Sequence, residues 1–323
     1  MVGSKKQFMK SILFTILFLL VPKVCFSQSA SIDRKVYLDS TWSETTSENY
    51  KYYRIVKDYY SEKDLYVIND YYKSGVLQME GASKTKDGNS KEGEFTFYYE
   101  NGYKKAVTHY VKSSPNGKCA EWYENGNKKL EGEYIEDEKT FFGTLKVVQF
   151  WNSKNEQTVF DGNGDYEEVS EFFFASGKVK EGYKDGLWQG SDQKMGYTFS
   201  ENYENQKLIS GVSVDSDKVS RNYKVVEIRP VPKKGYEDFY KHVSKKFKIP
   251  NMPKGVGGKI FLKFIVDKEG QIINPEIIKG IGYGADEEAL RVVSTYTNFA
   301  PGEIRGIKVR CTFSLPISIQ PME

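Results

Sequence analysis

Histidine and cysteine are scarce in this 323-residue chain, which has two histidines and three cysteines. His109 and His242 are far apart in the sequence and have no cysteines at zinc-ligand spacing, and they offer little material for a Ser-His-Asp triad. Cys119 and Cys311 are also far apart. This favours two unpaired thiols, although an oxidising compartment would permit a disulfide between them. The residues therefore predict no catalytic site, no metal site and no cofactor, and we expect that the protein is not an enzyme.

The chain also lacks a charge imbalance and a long apolar run. Its 47 basic and 44 acidic residues leave a formal charge of +3, which gives no reason to expect nucleic acid as a partner. The apolar run from Ile12 to Val21 is short, because a helix of that length rises about 15 Å against about 30 Å of bilayer hydrocarbon. Lysines precede this run and small residues follow it. We therefore predict a secretory signal peptide over residues 1–27, cleaved between Ser27 and Gln28, with an uncleaved membrane anchor as the alternative.

Two short segments imitate ligand-binding loops. Residues 255–259 end in Gly-Lys like a phosphate loop, but Ile260 stands where Ser or Thr is needed and the following pattern is that of a strand. Residues 161–165 alternate acidic and amide side chains like a calcium loop, but Tyr166 and Phe172 stand where Gly and Glu are needed. We predict a plain turn at each place.

Aromatic residues, in contrast, make up 15% of the chain, and many recur in one short phrase. The phrase is two aromatics, a spacer, Asn or Ser, and usually Gly. Its copies are YYKSG at Tyr71, YYENG at Tyr98, WYENG at Trp122, FWNSK at Phe150, FFASG at Phe173 and a weaker NYENQ at Asn202. Their spacing is irregular, with a period of about 26 residues, which is typical of a repeat protein.

Each copy reads as one β-hairpin. Residues 94–98 alternate polar and aromatic side chains, as in a half-buried strand, and Asn101-Gly102 supplies the positive φ of a tight turn. Lys154 and Gln206 replace the turn glycine in the fourth and sixth copies, so we expect distortion there. Because a lone hairpin cannot bury its aromatic face, successive hairpins should stack into a long antiparallel sheet with the aromatics in its core. A stacking surface for sugars or bases is the alternative use of these aromatics.

The phrase aromatic-aromatic-Glu-Asn-Gly-x-Lys-Lys, followed by Glu-Gly-x-Tyr, resembles the bacterial variant of the MORN repeat over residues 71–211. The resemblance implies a scaffold or a binding face. We expect the repeat domain to span residues 71–224. The tyrosine-rich segment 28–70 is expected to form an N-terminal β region or cap.

The pattern changes near Val225. Arg229–Pro232 has the extended character of a linker, and the expected elements after it are, in order, a helix over 235–248, strands over 260–266 and 271–279, a helix that starts near Asp286, a loop over 298–306 and a strand over 307–319. The fold class is therefore mainly β, with an antiparallel hairpin-repeat sheet followed by a small helix-strand-strand-helix-strand α+β domain over 225–323.

That order, with the motifs GKIFLKFIVDKEGQI, ADEEALRVV, NFAPG and IKVRCTFSLPI, closely resembles the C-terminal domain of TonB energy transducers over about residues 225–320. Phe299-Ala300 departs from the family, which usually carries a Trp or similar aromatic before Pro-Gly. The resemblance implies binding of the TonB box, a short extended segment of outer-membrane receptors, by strand addition. It also implies a location in the periplasm or cell envelope, and for full energy transduction a motor complex in the inner membrane.

Pro275 lies in the second strand and removes a ladder donor, so that strand belongs at one edge of the sheet and the terminal strand at the other. In strand addition, main-chain hydrogen bonds give affinity and alternate side chains give selectivity. We therefore predict a docking edge formed by Lys308, Val309, Arg310, Cys311, Thr312 and Phe313; the alternative is that these residues only complete the sheet. A non-transducing scaffold that binds a protein or a glycan is the second functional hypothesis. The cargo, the receptor and the oligomeric state stay open.

Overall fold

The computed structural model describes residues 32–136 and 143–321. These residues contain one long antiparallel sheet. The predicted signal peptide and its cleavage site at Ser27 and Gln28 lie outside the described residues. Sixteen strands pair in chain order: Arg34–Leu38 (β1), Tyr52–Val56 (β2), Tyr66–Tyr72 (β3), Leu77–Ser83 (β4), Lys91–Tyr98 (β5), Lys104–Val111 (β6), Ser114–Trp122 (β7), Lys128–Ile135 (β8), Thr144–Trp151 (β9), Gln157–Phe160 (β10), Asn163–Val169 (β11), Phe173–Lys180 (β12), Tyr183–Asp192 (β13), Tyr197–Glu204 (β14), Lys207–Asp215 (β15) and Ser220–Tyr223 (β16). The predicted fold class is confirmed.

The first three copies of the phrase form the predicted turns. Gly75, Gly102 and Gly126 all have positive φ, at 89°, 87° and 85°. The N–H of each donates to the carbonyl oxygen of the second aromatic in its copy, which is Tyr72, Tyr99 or Tyr123. In the fourth copy the turn moves by one residue, and Asn155 takes the positive φ of 64°. Asn tolerates this conformation better than most residues, so the hairpin survives without glycine.

The fifth copy is not a turn, and the prediction there is wrong. Strand β12 runs straight through Ala175-Ser176-Gly177, and the chain reverses instead at Glu181-Gly182, where φ is 54° and 90°. Gly177 serves packing, because an added Cβ would lie 2.5 Å from the indole ring of Trp188 on the neighbouring strand. The same close approach recurs in the pairs Gly81 with Phe95, Gly190 with Phe199, and Gly211 with Tyr223.

The aromatic doublets contribute less to the core than predicted. Phe150 is the only buried residue among the ten aromatics of the first five copies. The other buried aromatics of the sheet, such as Phe95 and Trp188, lie outside the doublets. The second tyrosines instead tie successive hairpins together: the hydroxyls of Tyr72, Tyr99 and Tyr123 donate to the carbonyl oxygens of Tyr98, Trp122 and Trp151 over 2.8, 2.9 and 2.8 Å. Assignment of the hairpins to the MORN variant stays a prediction.

The C-terminal part contains the predicted helices and long strands. They are Tyr236–Lys246 (α1), Gly258–Val266 (β19), Ile272–Lys279 (β20), Ala285–Ser294 (α2) and Cys311–Ile319 (β24), and their buried apolar side chains form one core. In α2 these are Ala285, Ala289, Val292 and Val293, at helical spacing. No helix in residues 32–136 and 143–321 is long and apolar enough to cross a membrane.

Three predictions about the connections are wrong. The expected linker contains a short strand, Val231–Pro232 (β18), and another, Glu227–Ile228 (β17), directly precedes it. The expected loop contains Phe299–Ala300 (β21) and Gly302–Ile304 (β22). Strands β17 and β18 pair with β22 and β21, respectively. The expected terminal strand is divided, because Ile307–Val309 (β23) folds back on β22 through a turn at Arg305-Gly306, where φ is 50° and 73°.

The turn between β22 and β23 packs into the end of the long sheet. The hydroxyl of Ser213, on β15, donates to the carbonyl oxygen of Arg305 over 2.8 Å. Ile304 and Ile307, on either side of the turn, pack against the buried cluster that contains Trp188. The C-terminal elements are therefore held against the repeat sheet by a buried contact.

Candidate functional site

The three-stranded sheet of the C-terminal part has the strand order β20-β19-β24. Strand β20 carries Pro275 and is one edge, as its proline predicts. Strand β24 is the other edge. It pairs with β19 from Cys311 opposite Val266 to Ile319 opposite Gly258. Its second side has no partner strand within the described part of the chain, so its main-chain groups are open to an added strand.

The side chains of β24 alternate between two faces. Leu315 and Ile319 are buried in the core, and the ring of Phe313 stacks on that of Phe264 at 5.6 Å between centroids. The even-numbered residues from Thr312 to Ser318 are exposed on the opposite face. This alternation fixes the strand rotation against the core, so its hydrogen-bonding groups have defined directions.

Pro316 indicates which main-chain groups of β24 point outward. A proline is tolerated in a strand where its nitrogen faces away from the neighbouring strand, because no ladder bond is then lost. Pro316 lies opposite Phe261 in an otherwise continuous pairing with β19. Residues two apart direct their main-chain groups to the same side. Thr312, Ser314 and Ser318 are therefore expected to present outward N–H and C=O groups, with a missing donor at Pro316.

An apolar groove runs beside this edge, between α1 and the C-terminal half of β24. It has a volume of about 390 Å³. Tyr240 and Val243 line it from α1, Phe247 and Ile249 from the segment after α1, and residues 315–320 from the strand. Tyr240 is 53% and Ile249 is 56% exposed. Apolar side chains from an added strand can therefore be buried there.

Glu288 on α2 anchors the wall of the groove. Its carboxylate accepts the N–H of Lys248 over 2.7 Å and pairs with Arg291 at 2.6 Å. The guanidinium of Arg291 also donates to the carbonyl oxygen of Lys246 over 2.9 Å. The hydrogen bonds from Arg291 and Lys248 lower the pKa of Glu288 from 4.5 to about 2. The chain that leads to Ile249 is thus held on α2 by a carboxylate that is ionised at neutral pH.

The structure divides the six predicted edge residues between two environments. Lys308 and Val309 belong to β23 and pair with Glu303 and Gly302 of β22, so they do not lie on the edge strand. Arg310 lies between the two strands and is exposed. Cys311, Thr312 and Phe313 begin the edge strand. Cys311 is a free thiol whose pKa is raised by burial.

Sequence reasoning missed the second half of this edge and the groove beside it. The helical stripe of α1 and the alternation of 311–319 were both visible, but which strand face α1 covers is a property of the packing. Pro316 was a usable signal, because it marks an edge in the same way as Pro275.

The histidines have local partners instead of a shared site. His109 Nδ1 lies 3.2 Å from the carbonyl oxygen of Asn116, and His242 Nε2 lies 2.9 Å from the hydroxyl of Thr295. No group of three or more His, Cys, Asp or Glu side chains in the described ranges is arranged to hold a metal ion. Residues 161–162 form the turn between β10 and β11, with φ of 47° and 79°.

Comparison with known families gives one match. Residues 252–318 match the family described as Gram-negative bacterial TonB protein C-terminal. The matched segment contains β19, β20, α2 and most of β24, so it includes the free edge and part of the groove. None of the curated proteins compared with the chain matches it significantly.

Proposed function

We propose, from the TonB C-terminal domain at residues 252–318, that this protein docks an extended peptide of an outer-membrane receptor, the TonB box, by strand addition to β24. The match suggests a TonB-like role in envelope transport, and TonB family proteins are associated with the envelope. The observation that carries the proposal is the free edge of β24 beside an apolar groove. We propose that it acts in the periplasm or cell envelope.

Main-chain pairing and the groove have separate roles in this proposal. A peptide strand that pairs with Thr312, Ser314 and Ser318 gains ladder hydrogen bonds, which are independent of peptide sequence. Every second side chain of that peptide then faces α1 and can enter the groove, which selects apolar residues. Cys311, Thr312 and Phe313 form the start of the docking edge. Lys308 and Arg310 directly precede that start in the sequence, and we propose that their positive charges attract an acidic peptide to it.

Substitution at Ser314 tests the pairing. Ser314→Pro removes the outward N–H and should weaken binding of synthetic peptides from the N-terminal segments of the source bacterium's outer-membrane receptors, by about tenfold per lost bond. Ser314→Ala keeps the N–H and is the matched control. Isothermal titration calorimetry measures both, and circular dichroism checks that each variant is folded. Equal affinities for the two variants would sink the edge assignment.

Substitution at Tyr240 tests the groove. Tyr240→Ala removes an exposed aromatic side chain from the wall of the groove. It should weaken the binding of peptides that carry apolar residues at alternate positions, and should affect less the binding of peptides that carry serine at those positions. Tyr236→Ala is the matched control, because Tyr236 is a 44% exposed tyrosine of the same helix that does not line the groove. Equal losses for the two variants, or for the two peptide classes, would contradict the role of the groove.

A second candidate is a scaffold that docks its partner without transmitting force. The buried contact at Arg305 favours it, because the C-terminal elements are fixed to the repeat sheet instead of being free at the end of a spacer. Fractionation with N-terminal sequencing separates the candidates. A mature chain that begins at Gln28 in the soluble periplasm supports the scaffold, whereas an intact Met1 in the inner membrane supports energy transduction through a motor complex.

A further inference from the structure

A large cleft lies at the N-terminal end of the repeat sheet, far in sequence from β24. It has a volume of about 940 Å³ and is lined by residues of the first five strands and of the loops after β1, β2 and β4. The loop over residues 84–90 lies over Arg54, because a Cβ at Gly88 would be 2.4 Å from Nη1 of that arginine. Clefts of this size hold small ligands in many proteins.

The cationic side chains of the cleft are paired with carboxylates, with one exception. Five cationic side chains line it: Arg34, Arg54, Lys84, Lys86 and Lys91. The first four form ion pairs with Glu44, Asp70, Glu92 and Glu62, at 3.4, 2.7, 3.0 and 2.9 Å. Lys91 has no carboxylate within ion-pairing distance in the described part of the chain.

Three aromatic rings surround the ammonium group of Lys91. Its Nζ lies 5.3 Å from the ring centroid of Phe95, 5.4 Å from that of Phe97 and 4.9 Å from that of Tyr110. Burial, followed by the nearby charge of Arg54, lowers the pKa of Lys91. A cation that is shielded from water and lacks a counter-ion gains more from an incoming anion than an exposed cation does. Lys91 is therefore the point of the cleft where an anionic group is best accommodated.

The rest of the lining combines aromatic rings with hydrogen-bonding groups of both kinds. Trp42, Tyr59 and Phe97 supply rings, and Trp42 is 43% exposed, whereas Tyr66 is buried at the base of the lining. Thr85 and Asn89 supply a hydroxyl and an amide, and Asp87 supplies a carboxylate that accepts from both at 2.6 and 2.9 Å, so the three side chains hold one another in place. Sugar rings present flat C–H faces to aromatic rings, and their hydroxyls both donate and accept. A sugar can therefore contact both the aromatic rings and the hydrogen-bonding groups of the lining, whereas a chain of acidic amino acids offers mainly acceptors.

We propose that this cleft binds a carboxylated sugar, whose carboxylate pairs with Lys91 and whose ring packs on the aromatic side chains of the lining. The site is separate from the edge of β24, so it stands whether or not the docking proposal holds. A glycan held there would attach the repeat sheet to a polysaccharide while the C-terminal domain engages a protein.

Matched sugars test the charge requirement with the unaltered protein. One probe is a tetrasaccharide that contains glucuronate, and the other is the same tetrasaccharide with its carboxylates reduced to alcohols. Calorimetry on the full chain should give saturable binding of the acidic form, about tenfold or more tighter than the reduced form, and weaker at high salt. No saturable binding, or equal binding of the two forms, would overturn the proposal. Tighter binding of a tetraglutamate peptide would overturn it in favour of an acidic peptide ligand.

Variants then locate the binding. Lys91→Met should abolish the preference for the acidic form, and Lys91→Arg should keep most of it. Lys105→Met is the control, because Lys105 also lies over an aromatic ring, that of Tyr99, but does not line the cleft. Trp42→Ala should weaken the binding of the acidic and the reduced tetrasaccharide by the same factor. A preference that survives Lys91→Met in a folded protein contradicts the site, and thermal unfolding establishes whether each variant is folded.

Discussion

The guanidinium of Arg305 donates through Nε to the carboxylate of Glu201 over 2.8 Å, although the two residues are 104 positions apart. Glu201 is fully buried, and Tyr203 and Tyr223 also donate their hydroxyls to it, at 2.9 and 2.8 Å. The guanidinium lies 3.8 Å from the ring centroid of Phe199. This ion pair joins the turn between β22 and β23 to strand β14. It therefore fixes the C-terminal elements to the last hairpins of the sheet.

Removal of either partner of this pair should destabilise the protein strongly. Arg305→Met leaves the buried carboxylate of Glu201 without its cation, and such losses cost about 3–5 kcal/mol. Glu201→Gln keeps hydrogen-bonding capacity but leaves the guanidinium without a counter-charge. Because the two changes remove the same interaction, the double variant should lose less free energy of unfolding, measured with urea, than the sum of the losses in the two single variants. Strictly additive losses would mean that the ion pair does not couple the two parts.

Removal of the tyrosine hydroxyls that bond successive hairpins should lower the stability of the protein. Tyr99→Phe and Tyr123→Phe each remove a hydroxyl that donates to the backbone of the next copy, at 2.9 and 2.8 Å. Each should cost about 1 kcal/mol of the free energy of unfolding. Tyr103→Phe is the control, since Tyr103 is 55% exposed and near the same turns. A loss at Tyr103 equal to that at Tyr99 would show that the hydroxyl bonds do not stabilise the stack.

Gly177 predicts a cost of overpacking inside a strand. An alanine there would place its Cβ against the fully buried ring of Trp188. Gly177→Ala should cost about 1–3 kcal/mol, as other small-to-large changes in cores do. The cost should shrink when Trp188 is changed to the smaller Leu, so a double-mutant cycle by thermal unfolding measures the contact. An unchanged cost in the Leu background would point to a backbone effect of the substitution instead.

Glu288 predicts how stability falls in acid. Its folded-state pKa of about 2 is below its ordinary value of 4.5, so its stabilising effect is present above pH 4.5 and is lost as the pH falls toward 2. Glu288→Gln removes that effect, so stability measured by urea unfolding should fall less steeply over this range than in the unaltered protein. Glu287→Gln, at an exposed neighbouring residue, is the control. The same pH slope for Glu288→Gln and the unaltered protein would contradict the assignment.

Local patterns in the sequence were enough for most of the individual elements. The turn glycines at 75, 102 and 126 were predictable because a tight hairpin needs positive φ, which other residues adopt at a cost. The helices and long strands of the C-terminal part were predictable because their apolar residues recur at helical or alternating spacing. The failure at Gly177 has the same origin as the successes: a glycine next to aromatics looks like a turn, and only the neighbouring strand reveals its packing against Trp188.

The sequence by itself determines the order of the strands along the chain, the edge position of β20 and the aromatic-rich repeat, since these depend on residues that are near each other in the chain. The position of Arg305 against Glu201, the division of the terminal strand at Arg310 and the groove between α1 and β24 were decided by tertiary structure. Each of these joins residues that are distant in the chain. A single sequence carries no local signal for such partners, because burial and charge pairing arise only when the elements pack.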